Sequence, residues 1–300
     1  MRTEVSFDVA GTRCAGHLWL PHGQDPVPCV VLCHGFSGTM DRLFDYAEHF
    51  ADAGFAALVF DYRSFGASEG EPRQVATIAG QLDDLRAAVA FARGHADIDP
   101  ERIALWGNSL GGAHAVTIGA DDPRIAAVVA QIPFNGFPKK VEGRSTTETL
   151  RLLGAIGYDA LRGALRLRPF YIPMVGAPGT LAVTTTDEAE AHIHTLTGGG
   201  ETLWRNTIAP RALLTMMTRY HPADAATRLS CPLLVCAAAD DRETPVETSR
   251  ELAERAPRGE LRVYPGTHFS FYTDPALRAR VGTEQIDFLR TATDQLREKL

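Results

Sequence analysis

The sequence predicts an α/β fold in which a mostly parallel central sheet is flanked by helices. Short apolar runs alternate along the chain with stretches of helical periodicity, the arrangement expected of strand–helix–strand units. A Gly-x-Ser-x-Gly pattern stands between one of these runs and a helix. A carboxylate and a histidine follow two later runs, and functional groups gather at the carboxyl edge of such a sheet.

The predicted strands form two groups. Residues 4–9 and 15–20 alternate between apolar and polar side chains around the turn Gly11-Thr12, which predicts an antiparallel pair. The later runs are almost continuously apolar, as expected for strands that are buried on both faces of a parallel sheet. These runs are residues 27–33, 56–60, 103–106, 126–131, 233–239 and 260–264.

Helical periodicity predicts helices between and after these runs. Residues 42–53 follow Asp41, a residue type that caps helix N-termini, and residues 77–95 carry apolar side chains near helical spacing. Further helices are predicted at residues 109–120, at 246–256 after Pro245, and at 276–300.

Residues 135–229 interrupt this alternation. They contain amphipathic segments at 150–167 and 207–220 around a proline-rich run. An insertion of this size between core strands 6 and 7 predicts a helical cap over the edge of the sheet, the alternative being an extra helical layer packed elsewhere. The domain prediction is therefore an α/β core of residues 1–134 and 230–300 with a helical cap of residues 135–229.

Composition narrows the class of protein. The net charge of −7 and the lack of clustered cations argue against nucleic-acid binding. The first residues contain no signal-peptide core, no run reaches membrane-spanning length, and the 5 cysteines suit buried thiols in a reducing compartment. We therefore expect a cytoplasmic protein that binds a small molecule and has no membrane or nucleic-acid partner, with a homodimer left open.

The pattern Gly107-Asn108-Ser109-Leu110-Gly111 predicts a nucleophilic serine. It follows an apolar run and opens directly into a helix, the strand–turn–helix context that a nucleophile elbow requires. Its flanking glycines let the chain pass close to itself around a strained serine. The same pattern at residues 66–70 has no regular element on either side, so Ser68 is predicted to lie in a loop.

Chain order predicts the base and the acid that would activate Ser109. In sheets of this kind the order is serine, acid and histidine, each at the end of a strand. His268 follows one late strand, and the adjacent Asp240 and Asp241 follow another. Asp241 is the preferred acid because it stands at the more usual distance before Pro245, and Asp240 would then belong only to the turn.

Two other histidine patterns compete with this triad. His192-Ile193-His194 has a spacing seen at metal sites, but no cysteine or second carboxylate cluster nearby completes one, so solvated histidines are expected. Cys33 and His34 are neighbours on a strand, where adjacent side chains point to opposite faces. We therefore predict no metal and no cofactor.

Acyl transfer also needs backbone N–H donors aimed at the developing oxyanion. Leu110, directly after the serine, is one predicted donor, and Phe36, in the loop after residues 27–33, is the other. Large side chains in or beside the cap could line an acyl pocket, although such residues more often serve packing. The candidates are Phe134, Phe137, Tyr171, Met174 and Trp204.

The chain resembles the α/β-hydrolase superfamily over essentially its full length. It is most similar to the subgroup of dienelactone-hydrolase-like proteins, acetyl-xylan-esterase-like proteins and fungal polyketide transferases. The resemblance implies Ser109, Asp241 and His268 as the triad and the loop at Phe36 as oxyanion support, whereas Asn108 stands where serine or threonine is commoner. The matching stretches are residues 60–70, 102–112 and 122–128, with Tyr171-Ile172-Pro173, Val175-Gly176 and Pro178-Gly179 in the predicted cap.

Residues and resemblance together predict a serine hydrolase that cleaves carboxylic esters or thioesters through an acyl-enzyme. An acyltransferase of secondary metabolism would use the same triad, with an alcohol or amine in place of water. A peptidase is a further alternative, but it would be expected to carry an acidic pair for the substrate amine. A catalytically silent ligand-binding protein is the last, and such proteins usually lose a member of the triad.

Overall fold

The structure is a computed structural model that describes residues 1–21, 23, 25–137, 145–197 and 202–297. Its centre is an 8-stranded sheet in the order β1-β2-β4-β3-β5-β6-β7-β8. The first two strands pair antiparallel, β2 pairs antiparallel with β4, and every later pairing is parallel. The strands are β1 (Arg2–Val9), β2 (Thr12–Trp19), β3 (Val27–Cys33), β4 (Ala56–Phe60), β5 (Ile98–Asn108), β6 (Ile125–Gln131), β7 (Leu233–Ala238) and β8 (Gly259–Tyr264).

Helices cover both faces of the sheet. Neighbouring residues on one strand belong to different apolar clusters: Val31 belongs to the cluster that contains Leu85 and Leu252, whereas Val30 belongs to the one on the other face that contains Phe50 and Leu289. This double burial explains the continuously apolar runs in the sequence, and the predicted α/β fold is confirmed. The helices are α1 (Phe44–Asp52), α2 (Ile78–Arg93), α3 (Leu110–Asp121), α4 (Thr146–Ala164), α5 (Asp187–Thr197), α6 (Arg211–Thr218), α7 (Pro222–Ala226), α8 (Val246–Arg255), α9 (Ser270–Thr273) and α10 (Pro275–Arg297).

Several helices differ in extent from the prediction. The first predicted helix divides into a 3-10 turn, Met40–Leu43, and the shorter α1. Helix α2 begins one residue later than predicted because the side chain of Thr77 accepts a hydrogen bond from the amide of Gly80 and acts as N-cap. The short helices α7 and α9 were not predicted, since 5 and 4 residues are too few to show a periodicity.

Helices α4 to α7 all lie between β6 and β7 in the chain. Helix α4 begins at a capping box, in which Ser145 and Glu148 each bond the other's backbone amide. The buried carboxylate of Asp159 on α4 accepts two hydrogen bonds from the guanidinium of Arg211 on α6, at 2.8 and 2.7 Å. This ion pair joins α4 and α6, which also pack against each other. No helix among the described residues is both long enough and apolar enough to cross a bilayer.

Candidate active site

Ser109 lies in a strained turn between β5 and α3. Its φ of 51° and ψ of −121° fall outside the regions that residues with a side chain normally adopt. The turn is anchored because the Ser109 amide donates to the carbonyl of Gln131 at 2.9 Å. A Cβ at Gly107 would lie 2.2 Å from the carbonyl oxygen of Gly111, and one at Gly111 would lie 2.3 Å from that of Cys33. Only glycine fits at both positions, which is the geometry of a nucleophile elbow.

The second copy of the pattern lies in a loop, as the sequence predicted. The hydroxyl of Ser68 is buried, donates to the carbonyl of Asp61 at 2.6 Å and accepts from the amide of Ala15 at 2.8 Å. The Asp61 carboxylate in turn accepts from the amides of Met40 and Ala67, each at 2.8 Å. Ser68 therefore holds a loop against the sheet and has no free reactive oxygen.

His268 and Asp241 form a buried hydrogen bond at the same edge of the sheet. The two residues follow β8 and β7, which are neighbouring parallel strands. Nδ1 of His268 lies 2.9 Å from Oδ2 of Asp241. The adjacent Asp240 is exposed, so the second of the two aspartates is the one that meets the histidine.

Thr244 completes this contact, and the sequence analysis missed it. Its buried hydroxyl donates to Oδ2 of Asp241 at 2.9 Å and lies 3.2 Å from Nδ1 of His268. The turn that brings it there is an Asx turn, in which Oδ1 of Asp241 accepts from the amides of Glu243 and Thr244 at 2.9 and 2.7 Å. The available signal was a threonine three residues after the acid and just before Pro245, which begins the next helix.

The histidine and the aspartate shift each other's ionisation. Burial alone would lower the pKa of His268, but the Asp241 carboxylate outweighs it and raises that pKa above its ordinary 6.5. Burial alone would raise the pKa of Asp241, but the charge of His268 and the hydrogen bonds from His268 and Thr244 hold it below its ordinary 3.8. Asp241 is therefore ionised at neutral pH and keeps Nδ1 of His268 protonated.

Ser109 and His268 line one cavity of about 170 Å³. The Ser109 hydroxyl has no hydrogen-bond partner within the described part of the chain, whereas the histidine is fixed by Asp241. Catalytic serine–histidine bonds are often long in the absence of substrate and shorten when it binds. The arrangement therefore combines a half-buried serine hydroxyl and an oriented imidazole on the cavity lining with a buried carboxylate behind the imidazole.

The predicted oxyanion donors border the same hydroxyl. Leu110 is the first residue of α3, so its amide has no acceptor within the helix. The loop after β3 passes close to the elbow, because a Cβ at Gly35 would lie 3.1 Å from Cβ of Ser109. Neither the Leu110 amide nor that of Phe36, next to Gly35, donates to any residue that the structure describes. Two backbone donors are thus left open beside Ser109.

Much of the cavity lining comes from the segment between β6 and β7. Of the pocket residues that the sequence suggested, Met174 and Trp204 belong to this lining. The guanidinium of Arg42, on the core side of the cavity, donates to the hydroxyl of Thr202 at 2.8 Å and so ties the two sides together. The apolar lining residues are Phe36, Met174, Val175, Ile193, Trp204 and Phe269.

Three other predicted pocket residues do not belong to this lining. Phe134 is buried in a small apolar cluster that includes Leu213, with its ring stacked on that of Tyr220. Phe137 is largely exposed and packs edge-on against Phe134. The hydroxyl of Tyr171 donates to the carbonyl of Arg73 at 2.7 Å, away from the cavity. The contacts of these three side chains are packing and hydrogen-bonding contacts outside the cavity.

His192 also differs from expectation, since it is not a solvated histidine. Its ring packs 4.9 Å from that of Phe269 and 5.2 Å from that of Tyr272, on the cavity wall. Burial, assisted by the charge of Arg42, lowers its pKa to about 4, so the imidazole is neutral at pH 7. The side chain of His194 lies outside the described residues. Within the described residues, no group of three or more histidine, cysteine or acidic side chains is arranged to hold a metal ion.

The chain is similar to known proteins along most of its length. The quorum-quenching protein AidA of Acinetobacter baumannii is 37% identical over 289 residues, 96% of this chain and 94% of that protein. The thiohydrolase aneE of Aspergillus aculeatus is 32% identical over 181 residues, 59% of this chain and 56% of that protein. The crystal structure of the α/β hydrolase GrgF from Penicillium superposes with a TM-score of 0.81 at 23% identity, covering 98% of this chain and 99% of that one.

The family described as serine aminopeptidase, S33, matches residues 24–276. The fold, the elbow and this match agree, and the chain therefore belongs to the S33 serine aminopeptidase family of α/β hydrolases.

Proposed function

We propose that this α/β hydrolase cleaves carboxylic esters or thioesters through an acyl-enzyme formed on Ser109. The observation that carries the proposal is the buried hydrogen bond between Asp241 and His268, the histidine that lines the same cavity as Ser109. A serine hydroxyl becomes nucleophilic only when a base takes its proton, and a base works best when a third group fixes its orientation.

In the proposed reaction, Nε2 of His268 takes the proton of the Ser109 hydroxyl while the serine oxygen attacks the acyl carbon. The bond from that carbon to the leaving oxygen or sulfur then breaks, and His268 returns the proton to the leaving atom. Water, deprotonated by the same imidazole, attacks the acyl-enzyme, releases the acid and restores Ser109. Asp241 stabilises the imidazolium that exists between these proton transfers.

The amides of Phe36 and Leu110 would hold the negative oxygen of each tetrahedral intermediate. Their open N–H groups beside Ser109 support this role, and so does the position of Leu110 at the positive end of α3. Residues 135–229 would act as the cap, because Met174 and Trp204 line the cavity together with Ser109. A cap of this kind excludes water from the acyl chain and decides which acyl groups fit.

An ester or thioester fits this cavity better than a peptide. An aminopeptidase has to hold a protonated substrate amine, and a carboxylate pair does this best. Among the described lining residues outside the proposed triad, Glu243 is the single carboxylate, and the hydroxyl of Thr186 donates to it at 3.0 Å. Arg42 adds a positive charge to the same lining. The thiohydrolase relative supports including thioesters among the substrates.

Labelling with a fluorophosphonate probe tests the nucleophile. Wild-type protein should be labelled and the Ser109→Ala variant should not. The matched control is Ser68→Ala, which removes the same group from the other copy of the pattern and should leave labelling intact. Equal labelling of wild type and Ser109→Ala would overturn the assignment.

A substrate screen then tests the reaction class. We expect hydrolysis of p-nitrophenyl esters, or of acyl-CoA thioesters, that Ser109→Ala abolishes. Product analysis with and without an added alcohol or amine separates hydrolysis from acyl transfer, because a transferase would form the new ester or amide in preference to the free acid. Turnover of peptide p-nitroanilides alone would favour the peptidase alternative.

A further inference from the structure

One wall of the cavity carries polar atoms that no residue described by the structure satisfies. Asn108 is the residue directly before Ser109, its side chain is only 2% exposed, and it lines the cavity. Its Nδ2 donates to the hydroxyl oxygen of Tyr272 at 2.8 Å, and its Oδ1 is buried without a hydrogen-bond partner among the described residues. A buried carbonyl oxygen that accepts nothing is costly, so its retention points to a donor supplied from outside the chain.

Tyr272 offers the complementary group. Its oxygen already accepts from Asn108, which leaves its own O–H hydrogen to be donated, and that hydrogen has no acceptor among the residues the structure describes. Burial keeps the phenol neutral by raising its pKa, so it remains a donor at neutral pH. The pair therefore presents one open acceptor and one open donor side by side.

His192 extends this surface. Its Nδ1 is buried and has no hydrogen-bond partner within the described ranges, and its ring centroid lies 5.2 Å from that of Tyr272. Because its imidazole is neutral, it adds hydrogen-bonding capacity without adding charge. We call Asn108, His192 and Tyr272 together the polar wall.

The polar wall lies on the side of Ser109 where the leaving group must depart. Tyr272 stands four residues after His268, and their ring centroids are 6.2 Å apart. His268 has to return its proton to the leaving atom, so the leaving group must sit within hydrogen-bond distance of that imidazole. Groups that border His268 therefore contact the leaving group rather than the far end of an acyl chain.

We infer that the polar wall is a binding subsite for an amide group carried by the leaving alcohol or thiol of the substrate. A secondary amide supplies one N–H donor for Oδ1 of Asn108 and one carbonyl acceptor for the hydroxyl of Tyr272, which matches the two open atoms. The inference rests on the proposed function, because that reaction determines on which side of Ser109 the leaving group lies. We expect a neutral hydrogen-bonding group in this subsite because the polar wall itself carries no charge.

Two isosteric ligand pairs test the subsite. The first pair is N-methylglycolamide butyrate and 1-hydroxy-2-butanone butyrate, which differ only in that a methylene replaces the N–H. The second is S-butyryl-N-acetylcysteamine and S-(4-oxopentyl) butanethioate, which make the same exchange in a thioester. Binding is measured by NMR titration on the Ser109→Ala protein, so the readout does not depend on catalysis.

We expect the amide member of at least one pair to bind about tenfold more tightly, the lower part of the range for pairing a buried unsatisfied group. Preference within the oxygen-ester pair alone identifies a short alcohol, and preference within the thioester pair alone identifies a cysteamine-type thiol. Equal binding of both members in both pairs would overturn the inference. Failure of the proposed nucleophile would appear separately, as continued probe labelling of Ser109→Ala.

Variants of the polar wall then test whether its residues cause the preference for the amide ligand. Asn108→Leu, similar in size but apolar, should reduce the ratio to about one, and Tyr272→Phe should reduce it severalfold. Tyr264→Phe is the matched control, because its hydroxyl bonds Glu284 at 2.7 Å away from the cavity, and it should keep the full ratio. A preference that survives both Asn108→Leu and Tyr272→Phe in folded proteins would assign the amide contact to other residues and refute the subsite.

Discussion

The two walls of the cavity are built by different means. On the core side, Ser109 is fixed by backbone contacts so close that a Cβ at either flanking glycine would overlap a carbonyl oxygen. On the side of residues 135–229, the structure depends on a few polar side chains, such as Asp159, which accepts from the amide of Phe170 and from Arg211. Backbone sterics leave no freedom, whereas side-chain contacts can be exchanged one at a time. Ser109 is thus held rigidly, and the part of the cavity that residues 135–229 contribute is open to variation.

Two side-chain hydrogen bonds link the residues that line the two walls of the cavity. The hydroxyl of Thr186, just before α5, donates to Glu243 in the turn that contains Asp241. In the second bond the donor is on the core side, where the guanidinium of Arg42 donates to the hydroxyl of Thr202 in the insertion. Neither pair includes a proposed catalytic residue, so we expect changes at Ser109, Asp241 and His268 to alter the rate of reaction and changes in residues 135–229 to alter substrate binding.

The largest effect is expected at the acid. Asp241→Asn removes the charge that orients and stabilises His268, and kcat should fall about 10³- to 10⁴-fold. Asp240→Asn is the matched control because Asp240 is exposed, and it should keep kcat within about twofold. Steady-state kinetics on an ester that wild type cleaves decides the point. A larger loss in Asp240→Asn would move the acid by one residue.

The elbow should respond through stability. Gly111→Ala puts a Cβ 2.3 Å from the carbonyl oxygen of Cys33, backbone that cannot yield without moving β3. We expect a loss of about 3 kcal/mol or more in the free energy of unfolding, at the upper end for overpacking. Urea denaturation followed by circular dichroism measures it. A variant as stable as wild type would show that the turn relaxes and that the core wall is less rigid than its contacts indicate.

The core wall was also the part that the sequence could predict. Continuous apolar runs, the glycines around Ser109 and the order of Ser109, Asp241 and His268 all depend on residues close in sequence or on a rule of chain order. Thr244 and Tyr272 could not be predicted in this way, because their importance comes from contacts with residues distant in sequence. Phe134 and Tyr171 were suggested for their size alone, and size does not reveal which neighbour a side chain will pack against.

The insertion should separate binding from chemistry. Asp159→Ala removes the carboxylate, 0% exposed, that pairs with Arg211. We expect a loss of about 2–3 kcal/mol, below the cost of breaking a fully buried pair, because Arg211 keeps some contact with water. KM should rise while kcat changes little, since Asp159 anchors the amide of Phe170, in the segment that leads to the cavity residue Met174, and makes no bond to the elbow. Asp187→Ala, an exposed carboxylate at the start of α5, is the control and should change neither constant. An equal fall of kcat in Asp159→Ala would contradict the division between the walls.

The pH dependence of kcat/KM tests the pairing of His268 with Asp241 on the core side. Because Asp241 raises the pKa of His268, and because the neutral imidazole is the base, kcat/KM should rise with pH through a midpoint above 6.5. In Asp241→Asn the raising charge is gone while burial still lowers the pKa, so the residual activity should show a lower midpoint. Asp240→Asn should leave the wild-type midpoint in place. A midpoint that does not move in Asp241→Asn would mean that another group titrates.

The smallest effect is expected from a second glycine-to-alanine substitution, made in the insertion instead of at the elbow. Gly157 lies inside α4, and a Cβ built there meets nothing within 4 Å. Gly157→Ala should therefore stabilise the protein by about 0.5–1 kcal/mol, because alanine loses less backbone entropy than glycine in a helix. Urea denaturation of both variants should show that Gly111→Ala lowers the free energy of unfolding and that Gly157→Ala raises it. The kcat/KM of Gly157→Ala should equal that of wild type. Destabilisation by Gly157→Ala would contradict the open space that the described residues leave at this position.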